Sequence, residues 1–218
     1  MANSLRYDQL EVRLKELEIN LLPPTNATGN YSNAEIDLTR AFCLLSHAEF
    51  ETYLEDILKE IVRHSFNEWK ADSTKISPLL FNLVCNYKLK KDVKENAETL
   101  IHQAVKNIEE VVEKNHGIKT HNIEGLFKPI GYSIDETLVT VLHNYGKTRG
   151  DIAHTSFKTQ QLLDPVTEKN NVTQIKDELK KFDDDFFKQK GNIPLLGHGG
   201  FLNWIKIKRL QITQLFKT

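Results

Sequence analysis

An arginine and a histidine, Arg149 and His154, stand five positions apart in 145-YGKTRGDIAHTS-156. A histidine whose pKa is about 6.5 gives or takes a proton around neutral pH. An arginine guanidinium is a rigid fork that grips two phosphate oxygens and holds charge developing on them, where a lysine would be a poorer fork. Together they offer proton transfer beside an oxyanion clamp. Spacing alone is a weak sign of such chemistry. With six arginines, eight histidines and three allowed gaps, Arg-x(4–6)-His arises about 0.7 times by chance in 218 residues. The chain holds two matches, Arg149 with His154 and Arg40 with His47.

The surroundings of the two pairs differ. Gly146 and Gly150 flank Arg149, and each costs a helix about 1 kcal/mol relative to alanine. Such glycines fit a place where backbone must bend or approach something closely. Beside that stands a plainer reading, an arginine and a histidine favourably placed at a helix C-terminus. Arg40 and His47 lie about 20° apart around a helix, with Glu51 about 40° further on, between the directions of Leu58 and Val62. The three form a polar streak inside an apolar face, while Glu49, Asp56, Lys59, Glu60 and Arg63 mark the outer face. Buried polar groups need partners. A core ion pair, Glu51 with Arg40 or with an arginine of another helix, and a functional site look alike at this level.

The elements that must position these residues read as helices throughout, with no alternating strand pattern. A charged amphipathic helix over Asn3–Leu22 stops at Pro23-Pro24, and a long one follows from about Asn33 to Trp69. Ser77-Pro78 starts a helix to about Tyr87. The next, about Asp92 to Asn115, puts Ala97, Ile101, Ala104, Val105, Ile108, Val111 and Val112 on one stripe and ends at His116-Gly117 as a left-handed cap. After a loop over 117–132, Ser133 and Glu136 form a capping box that opens a helix running toward Arg149. A charged helix spans about Val172 to Gln189, with Asp183-Asp184-Asp185 as a solvated face. The expected architecture is an all-α, up-and-down bundle of four to five core helices with a C-terminal appendage. Residues 1–190 form the helical domain, and 191–218 a Gly-rich linker and a basic aromatic tail.

Composition narrows the function classes. The formal net charge of −1 argues against a wholly basic nucleic-acid coat and leaves room for a local basic site. Cys43 and Cys85 read as two buried free thiols of a cytoplasmic protein, with no zinc-like spacing around them. The N-terminal segment carries charges throughout, so it reads as neither signal peptide nor membrane span, and the sequons at Asn26, Asn30 and Asn171 as chance matches.

The pairing of 40-RAFCLLSHAEFETYLEDI-57 with 138-LVTVLHNYGKTRGDIAH-154, preceded by 122-NIEGLFKPIGYSIDETL-138, resembles the RiboL-PSP-like branch of the HEPN superfamily over roughly Ser32–Phe157. Many members carry asparagine or aspartate directly after the arginine, where this chain has Gly150 and then Asp151. The resemblance implies a helical bundle that dimerises with two Arg–His motifs facing a composite cleft. It also implies a metal-independent endoribonuclease of toxin–antitoxin or phage-defence type, with RNA as substrate, no cofactor, and an antitoxin or other regulatory protein as a further partner. Other members are non-catalytic modules that bind nucleotide, RNA or protein, and that alternative stays open, as does a pure interaction scaffold.

The residues suit the enzymatic implication. RNA cleavage by the ribose 2′-OH needs proton transfer and charge neutralisation, the tasks of His154 and Arg149. Glu51 would orient one of them, with His47, Arg40 and Asp151 in support. One histidine cannot be base and acid at once, so a second copy of the chain, or His47, would complete the pair. For the RNA strand, Lys147 and Lys158 flank the motif, and the basic stretches 88–94 and 201–218 are further candidates. The tail equally suits an amphipathic segment packed on the bundle.

Overall fold

A computed structural model describes residues 4–86, 96–154 and 163–191, with the backbone alone given for 187–191. Among the described residues there are seven α-helices and no strand: α1 (Leu5–Leu21), α2 (Asn33–Ala71), α3 (Pro78–Asn86), α4 (Ala97–Glu113), α5 (Thr120–Phe127), α6 (Glu136–His154) and α7 (Pro165–Gly191), with a 3-10 turn over Lys128–Ile130. The chain is an all-α bundle of the expected class. None of these helices is long and apolar enough to cross a membrane.

Side chains close in sequence fix most helix starts. Ser32 and Glu35 cap α2 reciprocally: the Glu35 carboxylate accepts the Ser32 N–H at 2.7 Å while the Ser32 hydroxyl accepts the Glu35 N–H at 3.3 Å. Asn96 caps α4 by accepting the Thr99 N–H, and Ser77 caps α3 by accepting the Leu80 N–H. Helix α2, at 39 residues about 58 Å long, is the central pillar and packs against all six other helices. Its inner face, including Phe42, Phe50, Tyr53, Leu54, Leu58 and Val62, is buried in one continuous core with residues of the other helices.

Several expectations need correcting. The segment 117–132 is not a plain loop; it folds into α5 and the 3-10 turn. Ile123, Leu126 and Phe127 are buried there, and Phe127 meets Phe182 and Phe186 edge-on at 5.6 and 5.7 Å. Gly131 closes the turn at φ +75°, where an added Cβ would run into Asn82. Tyr132 is pinned edge-on to Phe186 at 4.8 Å, and α6 starts only at Glu136. Asp135, not Ser133, accepts the Thr137 N–H and caps it. Helix α4 ends at Glu113, three residues before His116.

Asp183 is not part of a solvated face. It is 1% exposed and accepts hydrogen bonds from the Ser4 N–H, the Ser4 hydroxyl and the Tyr53 hydroxyl at 2.8, 2.5 and 2.8 Å. One carboxylate thus ties the start of α1 and the middle of α2 to α7. Cys43 is buried as expected, whereas Cys85 is exposed, and both are free thiols.

Candidate active site

The polar streak of α2 and the C-terminal half of α6 are brought side by side. Phe50 packs edge-on against Tyr145 at 5.8 Å, and the Tyr145 hydroxyl donates to the Cys43 carbonyl at 3.3 Å. Those contacts set Arg149, one turn further along α6, beside His47 and Glu51. His47 is 3% exposed. Burial, then the charges of Arg149 and Lys119, push its pKa down to about 4, so the ring is neutral at physiological pH. Its Nδ1 lies 3.8 Å from a Glu51 carboxylate oxygen. That is too long for a hydrogen bond, and a neutral ring forms no ion pair there.

Glu51 is half-buried, and burial raises its pKa; the neighbouring Glu55 raises it further, while the nearby Gly117 backbone N–H and the charges of Arg149 and His116 pull it down. Asn115 organises this corner. Its amide donates to Glu55 at 2.8 Å, to the Gly117 carbonyl at 3.2 Å and, at the limit of hydrogen bonding, to Glu51 at 3.5 Å. Asn122 donates in turn to the Asn115 carbonyl oxygen at 3.1 Å. Gly117, at φ +135°, turns the chain so that this hydrogen-bonding is met.

The segment after Gly117 then lies directly on α6. The Thr120 N–H donates to His143 Nδ1 at 3.3 Å, which makes Nδ1 the lone-pair nitrogen of that ring. A Cβ on Gly146 would sit 3.2 Å from Lys119 Cγ and 3.4 Å from Ile118 Cγ1. Gly150 faces the Lys119 ammonium, with Nζ 3.8 Å from where its Cβ would be. Both glycines are helical, so neither serves to bend the chain; at Gly146 the close approach is that of Lys119, whereas Gly150 has room for a Cβ. Among the described residues, no carboxylate lies within 4.0 Å of the Arg149 guanidinium or the Lys119 ammonium.

The other expected residues are distributed differently. His154 is the last residue of α6 and exposed. Five residues apart on a regular helix, it leaves the axis about 140° round from Arg149. Lys147 and Asp151 are exposed on α6, and Asp151 has interactions of its own. Arg40 is buried on α2 and ion-paired with Asp37 at 2.5 Å. Eleven residues separate it from Glu51, about 16 Å along the axis, so those two do not pair; the arginine that acts on Glu51 is Arg149. Lys158, 88–94 and 201–218 lie outside the described residues.

A family model described as RiboL-PSP-HEPN matches residues 8–189. The chain belongs to the RiboL-PSP-HEPN family. No curated protein and no solved structure matches it. The HEPN match begins inside α1 and ends inside α7, beyond the 32–157 core at both ends. Within this HEPN domain the residues that sequence reasoning overlooked are Lys119, Asn115 and His143. The mark of the first two in the sequence is the glycine turn of 115-NHGIKT-120, whose contacts with α2 and with His143 on α6 no local pattern encodes.

Proposed function

We propose that this HEPN domain is a metal-independent endoribonuclease. The ribose O2′ bonds to the adjacent phosphorus, the P–O5′ bond breaks, and the products carry 2′,3′-cyclic phosphate and 5′-hydroxyl ends. His154 transfers the proton, and Arg149 grips the phosphoryl oxygens as charge builds on them. The observation that carries the reading is that Arg149 and Lys119 both act on the neutral His47 while no described carboxylate lies in ion-pair range of either. HEPN domains are commonly ribonucleases, which supports it.

The direction of His154 favours an active homodimer. Arg149 and His154 of one chain diverge by about 140°, so a cleft shared by two α6 helices would let one copy supply the base and the other the acid. Glu51 and His47 shape the charge around Arg149, and Lys147 contacts the RNA backbone. The biological role in this reading is that of a growth-arresting toxin or phage-defence effector, held in check by an antitoxin or other regulatory protein.

The test is incubation of purified protein with labelled total RNA in EDTA, beside His154→Ala and Arg149→Ala. Cleavage should fall about 100- to 10,000-fold on loss of the histidine and about 100- to 1,000-fold on loss of the arginine. Full cleavage by both variants would overturn the assignment of the residues. A wild-type chain that leaves RNA intact would remove the enzymatic reading.

A further inference from the structure

Lys119 belongs to neither helix that carries the Arg–His pairs, yet its position is tightly prescribed. The Gly117 carbonyl on one side accepts from the Asn115 amide, the Thr120 N–H on the other donates to His143, and Ile118 between is buried at 1% exposure. From there the lysine stem runs along α6, its Cγ against Gly146 and its Nζ against Gly150, a span of one helical turn, or about 6 Å. Gly146 leaves a shallow channel in which the stem lies, and Gly150 stands at its open end. The channel ends at Gly150, the sequence neighbour of Arg149, and the ammonium and the Arg149 guanidinium are both close enough to His47 to act on its charge. Among the described residues no carboxylate lies within ion-pair range of this ammonium, and the charge that joins it in acting on His47 is that of Arg149. Two like charges brought together repel unless an anion sits between them.

We propose that Lys119 and Arg149 form a two-pronged clamp for one backbone phosphate of the RNA, with Gly146 serving as the channel that admits the lysine stem. The proposal rests on the ribonuclease reading and adds a substrate-binding residue to it. Arg149 supplies the planar fork, and Lys119 supplies a point charge from the opposite edge.

The experiment measures binding of a fluorescent 12-nucleotide single-stranded RNA by anisotropy over a salt series. It uses the His154→Ala chain, with cleavage followed in parallel in the chain that keeps His154. Lys119→Gln should weaken binding about 10-fold, the worth of one charge-assisted hydrogen bond, and flatten the slope of log Kd against log salt by about 0.7. Lys119→Arg should retain most of the affinity. Lys106→Gln, an equal charge change at an exposed position of α4, should alter neither quantity. The slope and the arginine rescue separate a phosphate contact from a merely structural role. If Lys119→Gln binds like Lys106→Gln in a protein that binds and cuts RNA, the clamp is wrong and the ribonuclease reading stands. If the protein neither binds nor cuts RNA, both fall.

Discussion

Replacing the two glycines of α6 one at a time tests the packing that seats Lys119. Alanine in a helix interior is favoured over glycine by about 1 kcal/mol, and that intrinsic gain is the same at both positions. At Gly150 the new Cβ meets only the Lys119 Nζ, at 3.8 Å, an ordinary contact with the movable end of a side chain. Gly150→Ala should therefore stabilise by the full amount, raising Tm by about 2–4 °C for a chain of this size. At Gly146 the Cβ meets Lys119 Cγ at 3.2 Å, Ile118 Cγ1 at 3.4 Å and the Lys119 backbone nitrogen at 3.6 Å. That segment cannot slide away freely, because Ile118 is buried and Thr120 is bonded to His143. Overpacking of this kind costs about 1–3 kcal/mol, which cancels or exceeds the helical gain. Urea unfolding of the three proteins with a common m-value should then place Gly146→Ala about 1–3 kcal/mol below Gly150→Ala. Equal stabilisation by both substitutions would mean that the 118–119 segment does not rest on α6, and the lysine channel would go with it.

Other expectations follow from buried polar groups. Asp183→Ala leaves the Ser4 N–H, the Ser4 hydroxyl and the Tyr53 hydroxyl without their acceptor, and should lower stability by about 3 kcal/mol; a change below about 0.5 kcal/mol would contradict the tie. His47 titrates at about 4 in the folded chain against 6.5 when unperturbed. Below pH 6.5 the unfolded state takes up a proton that the folded state refuses, so this stabilisation is complete above that pH and is lost as pH falls toward 4. The loss amounts to about 3 kcal/mol, and His47→Gln should remove that part of the acid slope in urea titrations; parallel curves for the two proteins would refute the burial of a neutral ring.

The sequence by itself determined most of the helices and the two Arg–His pairs worth suspecting. Period and caps act within about four residues, so α2 with its Ser32–Glu35 box, the stripe of α4 and the buried streak at Arg40 and His47 were all legible. So was the resemblance carried by the two motif segments, which the family match widens to 8–189. Local rules failed where two signals competed or where burial chose between them. Ser133 and Asp135 are both good caps, and the packing of Tyr132 against Phe186 accompanies the later start. Asp183 looks solvated in an acidic run, but the start of α1 and the middle of α2 supply three donors to it. Only the tertiary structure decided that Arg149 acts on His47 and Glu51, that Lys119 joins them, and that Arg40 stays with Asp37. Those juxtapositions join α2, α6 and the turn at Gly117, stretches far apart in the chain, and depend on how the helices pack rather than on the spacing within any one of them.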